Sequence, residues 1–304
     1  MPTATKFTGK LVVIEGPTAS GKTAIAIELA NYFGAEIISA DSRQFYKEIP
    51  IGTAAPTPPE LNKAPHHFIG NLSISDDYNV SKFEHDVINL LNTKLANKPI
   101  VIMTGGSGLY IDAVCNGIDI LPDIDEAVRD NVKNIFSEYG IEALQKKLME
   151  LDHVYYQQVD LNNPKRLMRA IEVCLQTNTT YSQLRKNKPQ TRSFNIIKIG
   201  INIPRDILVD RINNRVENMI NEGWVEEAKS VYPFKMYNSL NTVGYKELFA
   251  FFDGSLTLTQ AIEKIKTNTR RYAKRQMTWF RRDNDIYWFD YDKISEIINF
   301  IEKH

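Results

Sequence analysis

The sequence predicts an α/β fold in which a mostly parallel sheet is flanked by helices and interrupted by an inserted helical subdomain. Three observations predict it. Short runs rich in Val and Ile alternate with helix-patterned stretches, a glycine-rich segment directly follows the first run, and one interval between runs far exceeds a crossover.

The runs read as strands are 11–15, 36–40, 100–104, 196–202 and 286–289. The first helix follows Gly21, carries the apolar-rich run 24–30 and stops at Gly34, a residue suited to a left-handed C-cap. Open parallel sheets bind ligands beyond the carboxyl ends of their strands. Residues just after Glu15, Ala40 and Thr104 are therefore expected to converge on one site.

A simple parallel crossover needs on the order of a dozen residues, whereas the interval 116–194 is much longer, polar and helix-patterned. It is expected to form a helical subdomain of its own, with 1–115 and 195–304 as the core. Within it, 142–151 sets apolar residues at helical spacing with Lys146 and Lys147 outside, and polar 177–192 reads as a return linker. The Pro-rich stretch 55–59 reads as a loop.

Composition narrows the class. The 304 residues, 43% hydrophobic and 24% charged, suit a soluble globular chain with one large domain or a main and a smaller one. No apolar run reaches the roughly 18 residues of a membrane span, and 1–10, a ragged lead-in to a strand, lacks the apolar core of a secretory signal. The two cysteines, Cys115 and Cys174, show no metal spacing and read as buried or half-buried thiols of a reducing compartment, so the cytoplasm is expected. With 37 basic and 37 acidic residues the chain is no globally basic nucleic-acid binder. One local cluster stands out: 264–282 holds eight basic residues and no acidic one, interleaved with Tyr272, Trp279 and Phe280.

The segment Gly16-Pro17-Thr18-Ala19-Ser20-Gly21-Lys22-Thr23 fits G-x-x-x-x-G-K-[ST] and lies between a predicted strand and helix. Its glycines let the backbone wrap an anion, and successive N–H groups point inward at the helix N-terminus. Lys22 adds a point charge and the Thr23 hydroxyl can hold Mg²⁺. The core is thus P-loop NTPase-like, and the motif specifies a di- or triphosphate without naming it. After the second strand, Asp41 can ligate Mg²⁺ or accept a proton from a nucleophile; a plain turn or N-cap aspartate is the alternative. The third strand ends in Gly105-Gly106-Ser107-Gly108, a second glycine-rich turn that lets backbone approach a ligand closely.

Together these segments resemble the tRNA dimethylallyltransferase (tRNA isopentenyltransferase) family in its bacterial short form, without the appended zinc finger of eukaryotic relatives. The pattern G-P-T-A-S-G-K-T stands unaltered at 16–23, and D-S-x-Q appears as Asp41-Ser42-Arg43-Gln44, followed by Tyr46 and Ile51-Gly52-Thr53-Ala54. Pro65-His66-His67-Phe68 resembles the P-H-H segment, and Gly105-Gly106-Ser107-Gly108-Leu109-Tyr110 resembles G-G-T-x-L-Y with Ser for Thr. The segment 163–172, from Asn163-Pro164-Lys165-Arg166, resembles the one that meets tRNA, Val243-Gly244-Tyr245-Lys246 the V-G-Y motif, and 269–281 the late T-R-x-x-A-K-R-Q-x-T-W signature.

The resemblance implies in-line transfer of a dimethylallyl group from dimethylallyl diphosphate to N6 of the adenosine 3′ to the anticodon, in tRNAs reading codons that begin with U. It makes Asp41 the general base, and the loop 16–23 with Lys22, Thr23 and Mg²⁺ the diphosphate site. Arg211 or Arg215, one turn apart on a helix expected over 205–231 with Leu208, Ile212 and Met219 on its apolar side, would assist. The residues expected to meet the tRNA anticodon stem-loop are Asp41, Ser42, Arg43, Gln44, Ser107, Arg129, Lys165, Arg166 and Arg169, then Val243, Gly244, Tyr245, Lys246, Lys274, Arg275 and Gln276. In the late signature the aromatic residues are expected inward and Lys274, Arg275 and Gln276 toward RNA. A cytoplasmic monomer is expected. Two enzyme rivals share the cradle: a small-molecule kinase using ATP, and a prenyltransferase of free adenine nucleotides. A non-catalytic RNA binder leaves Lys22, Thr23 and Asp41 unexplained.

Overall fold

A computed structural model describes residues 6–119, 121–186 and 190–304. Part of the expected lead-in, 1–5, and part of the expected return linker, 187–189, lie outside the described residues. The chain forms two compact units, one of residues 1–115 with 192–304 and one of residues 116–191.

The first unit begins with β1 (Lys10–Glu15), α1 (Lys22–Phe33), β2 (Ile37–Ser39), α2 (Pro58–Leu61), β3 (His66–His67), α3 (Val80–Asn92), β4 (Ile100–Thr104) and α4 (Gly108–Asn116). The second unit holds α5 (Glu126–Leu151), α6 (His153–Tyr156), α7 (Pro164–Thr177) and α8 (Tyr181–Leu184). The first unit then resumes with β5 (Asn195–Asn202), α9 (Arg205–Asn221), α10 (Trp224–Val231), α11 (Tyr245–Phe252), α12 (Leu258–Phe280), β6 (Ile286–Asp290) and α13 (Ile294–Lys303).

The six strands are all parallel, in the order β3-β2-β4-β1-β5-β6. β1 lies at the centre, with Leu11 opposite both Val101 and Ile196. Both of its faces are covered, which is why it reads as an unbroken apolar run. Leu11 and Val13 pack with Phe83, Val87 and Leu91 of α3 and with Ile111 and Val114 of α4. Val12 and Ile14 pack on the other face with Ile25 and Leu29 of α1 and Ile297 and Ile301 of α13. A third cluster joins Val216, Trp224, Tyr245 and Ile265, from α9 to α12.

Three readings need correction, the first being the return linker expected over 177–192, which holds α8 with Tyr181 buried in the core of the second unit. The sheet has a sixth strand, β3, which pairs His66 with Ile37 and His67 with Ile38 and is too short for any periodic signal. The helix expected over 205–231 is two helices, because Gly223 takes a left-handed backbone (φ 99°) between α9 and α10. Gly34 caps α1 in the left-handed region (φ 61°), its N–H donating to the Ala30 carbonyl.

In the second unit α5 bends at Gly140 (φ 74°) and packs along α7, burying Val132, Leu144, Leu148, Leu167 and Ile171. Asp152 is buried there, but its carboxylate accepts from Tyr155 N–H and from the N–H and hydroxyl of Ser182. Those bonds offset its desolvation.

Candidate active site

The carboxyl ends of β1, β2 and β4 carry the phosphate loop, Asp41 and the second glycine-rich turn. Strand β1 delivers the loop 16–23 onto the first turn of α1. Ala19 (φ 64°) and Gly21 (φ 97°) take left-handed backbone, a shape that gathers neighbouring N–H groups into an anion nest. The Lys22 ammonium donates to the Pro17 carbonyl at 2.7 Å, folding back across the loop. Loss of hydration pushes its pKa down to about 7; the nearby Arg215 charge adds to the shift and the Asp41 carboxylate opposes it.

Helix α9 brings both candidate arginines to the loop. Arg215 Nη1 donates to Thr18 Oγ1 at 3.2 Å, and Arg211 Nη1 donates to the Ser20 carbonyl at 3.4 Å. Arg211 also lies over the Tyr291 ring, 4.6 Å from its centroid. Burial lowers the Arg215 pKa against the pull of Asp41 and Glu60, yet a guanidinium stays charged.

Asp41 follows β2. Its Oδ1 accepts the Arg43 N–H at 3.0 Å, an Asx turn that fixes the carboxylate. Gly105 is required here, since a β-carbon would sit 2.3 Å from the Ala40 carbonyl oxygen. The Ser107 hydroxyl accepts the Ser42 N–H at 3.0 Å and meets Ser42 Oγ at 3.1 Å, locking the two turns together. Gln44 works inward: its amide donates to the Ala54 carbonyl at 3.0 Å and its oxygen pairs with Ser39 Oγ at 3.0 Å. Arg43 donates to the carbonyls of Asn238 and Ser239.

A cavity of about 320 Å³ is lined by the loop, Asp41, Gly105, Gly106, Arg211 and Arg215. A recess of about 110 Å³ has apolar walls from Ile212, Val216, Met219, Trp224 and Val243. Thr18, Asp41 and Arg215 line both. A groove of about 630 Å³ runs from Thr23 and the two arginines along Pro50 to Pro58.

The residues expected to face RNA divide. Lys274 and Arg275 are exposed on α12, as is Lys246 on α11, and Val243 lines the recess. In the second unit Arg129, Lys165 and Arg166 are exposed, whereas half-buried Arg169 donates to the Pro122 carbonyl at 3.4 Å. Three of the expected residues, Gly244, Tyr245 and Gln276, are buried. Tyr245 is 0% exposed and donates its hydroxyl to Glu227 at 2.6 Å, so its side chain belongs to the core. Gly244 is needed because a β-carbon there would sit 2.0 Å from the Trp224 ring. Gln276 is 5% exposed; its Oε1 accepts the Thr18 N–H and its Nε2 donates to the Gly106 carbonyl, each at 2.9 Å. That amide faces the phosphate loop, with its polar atoms already paired to backbone. Sequence reading misses Glu227 entirely. Its carboxylate accepts from the N–H groups of Ile51 and Gly52, each at 2.8 Å, and holds that loop against α10.

An anion nest beside a recess with apolar walls, at the strand ends of a parallel sheet flanked by helices, defines the class: an α/β enzyme of the P-loop kind. Residues 44–283 match the model of the IPP transferase family. The chain belongs to this family of tRNA dimethylallyltransferases. It is 49% identical over 293 residues to tRNA dimethylallyltransferase 2 of Parabacteroides distasonis, covering 96% of this chain and 98% of that one. It is 50% identical over 293 residues to the tRNA dimethylallyltransferase of Christiangramia forsetii, covering 96% and 97%. Among solved structures, the full-length tRNA isopentenylpyrophosphate transferase of Bacillus halodurans superposes with a TM-score of 0.72 at 37% identity, over 97% of this chain and 96% of that one. A eukaryotic dimethylallyltransferase, described as acting on tRNA, gives 0.77 at 25% identity, over 95% and 75%.

Proposed function

We propose that this chain transfers a dimethylallyl group from dimethylallyl diphosphate to N6 of the adenosine 3′ to the anticodon, in tRNAs reading codons that begin with U. The observation that carries the reading is the shared lining: Thr18, Asp41 and Arg215 border both the phosphate cavity and the apolar recess. The donor's diphosphate would lie in the nest and its five-carbon tail in the recess. Burying such a tail stabilises the complex by about 4 kcal/mol, at about 0.8 kcal/mol per carbon.

In the reaction the bond between donor C1 and the diphosphate oxygen breaks while N6 bonds to C1. The adenine amine is a weak nucleophile because its lone pair is delocalised into the ring. Asp41 takes the N6 proton as the new bond forms, a contribution of typically 10²–10⁴-fold. The loop N–H groups, Lys22, Arg215 and Arg211 stabilise the charge gathering on the departing diphosphate. Negative charge in the nest also holds Lys22 protonated.

The donor set suits Mg²⁺. Thr23 supplies a hydroxyl oxygen to the cavity, and an octahedral ion that keeps several waters asks for little more from protein when phosphates are present. Bound there, Mg²⁺ would neutralise charge on the diphosphate.

The target base must leave its stack to reach Asp41. Exposed Arg271, Lys274, Arg275, Arg281 and Arg282 on and just after α12 would hold RNA phosphates, as would Lys165 and Arg166 of the helical unit. Among the described residues no helix is long and apolar enough to cross a membrane.

Incubation with tRNA and carbon-labelled dimethylallyl diphosphate, then digestion to nucleosides, tests the reading. Label in an N6-prenylated adenosine is the expected result. Label only in free adenine nucleotides, or phosphate transfer from γ-labelled ATP to a small acceptor, would replace it with one of the rivals.

A further inference from the structure

We propose that Gln276 is a positioning residue for the donor: its carboxamide clamps the phosphate loop to the second glycine-rich turn and so sets the spacing between the nest and Asp41. The proposal rests on the reading that the nest holds the donor's diphosphate.

The clamp joins segments far apart in sequence. The Oε1 atom accepts the Thr18 N–H and the Nε2 atom donates to the Gly106 carbonyl, both at 2.9 Å and across 258 and 170 residues of chain. Only a side-chain amide of this length offers an acceptor and a donor together, so no charged or apolar side chain replaces it. Gly106 lies between the clamp and the base. A β-carbon there would sit 2.3 Å from Gln276 Nε2 and 3.7 Å from Asp41 Oδ2. One residue of backbone thus separates the amide from the carboxylate.

On the loop side, Thr18 is held twice. Gln276 takes its backbone N–H and Arg215 donates to its hydroxyl at 3.2 Å. The next residue, Ala19, holds a left-handed backbone (φ 64°), which an L-residue keeps only when its surroundings impose it. Clamping Thr18 supplies that constraint. The helix bearing the clamp is itself anchored: Trp279 Nε1 donates to Asp112 Oδ2 at 2.9 Å, and Phe280 is buried.

Gln276→Met removes both bonds at similar size. Binding of dimethylallyl diphosphate and of tRNA is measured separately for wild type and variant by calorimetry and filter retention. Donor Kd and donor KM should each rise about tenfold, while Kd and KM for tRNA stay within about twofold, a split that general loss of fold does not produce. Amide hydrogen exchange should show 16–23 losing protection in the variant while the rest of α1 keeps it. Gln276→Glu, which retains the acceptor for Thr18 and removes the donor to Gly106, gives the same comparison should the Met variant not fold. Donor affinity unchanged in a folded variant overturns the clamp, and a rise confined to tRNA Kd makes Gln276 an RNA contact instead. If wild type fails to bind the donor at all, the diphosphate reading of the nest fails first and takes the clamp with it.

Discussion

Tyr245 donates its hydroxyl to the Glu227 carboxylate at 2.6 Å, and that carboxylate also accepts from the N–H groups of Ile51 and Gly52. One side chain of α10 thereby ties the loop 51–54 to α11. Tyr245→Phe removes one bond to a charged group and should cost about 1–3 kcal/mol. A lower midpoint of urea unfolding with tRNA affinity unchanged is the expected pair of results. Weakened tRNA binding at full stability would return Tyr245 to the RNA surface.

Asp41→Ala removes the proton acceptor but neither the nest nor the exposed basic residues. Single-turnover prenylation should slow by about 10²-fold or more, with tRNA Kd within a few-fold of wild type. A rate near wild type would strip Asp41 of the base role.

The two arginines separate by their surroundings. Both border the phosphate cavity and the groove, but Arg215 also borders the recess and holds the Thr18 hydroxyl, while Arg211 donates to the Ser20 carbonyl at 3.4 Å and lies over the Tyr291 ring. Arg215→Ala should lower kcat by about 10²–10³-fold, as loss of a charge-stabilising donor does, and Arg211→Ala by roughly tenfold or less. Equal losses would show that the diphosphate draws on both alike.

What the sequence made legible was local. The nest is read from consecutive residues, and Asp41 from its place after a strand, because strand ends in a parallel sheet converge whatever the details of packing. Contacts that need tertiary phase stayed hidden. Glu227 meets Ile51 across 176 residues, and nothing in either neighbourhood announces the pair. Gln276 sits amid a basic run, so it reads as exposed until the buried set Ala273, Gln276 and Phe280 reveals which side of α12 faces inward. That three-and-four spacing was present in the sequence, but a polar residue in it is a weak sign of burial. Gly223, the break between α9 and α10, was equally visible and was outweighed by helical patterning on both sides.

Glu15 ends β1 at 3% exposure, directly before the phosphate loop. Burial pushes its carboxyl from 4.5 up to about 8; Lys198 opposes the shift, and Asp112 and Asp283 add to it. The folded protein therefore binds this proton more tightly than the unfolded chain, and stability is lost as pH climbs between those two values. Glu15→Gln keeps the shape without the titration. Its unfolding midpoint relative to wild type should climb from pH 5 to pH 8 and then level off, roughly tracking the span from 4.5 to about 8. A constant difference across that range would show that Glu15 does not titrate there.

The basic cluster is not uniform, and salt dependence can resolve it. Lys266 is 13% exposed and paired with Glu217 at 3.0 Å and Glu263 at 2.9 Å, and Arg270 is bonded to Asn213 and Thr267. Lys274 is exposed on the same helix. Each phosphate contact contributes about one unit to the slope of log affinity against log salt, somewhat less on single strands. Lys274→Ala should lower the slope for tRNA by about that amount, whereas Lys266→Ala should leave it unchanged, since its charge is already matched by two carboxylates. Equal slopes for Lys274→Ala and wild type would place RNA elsewhere on the molecule, and a slope that falls only with Lys266→Ala would mean that tRNA breaks the carboxylate pairs on docking.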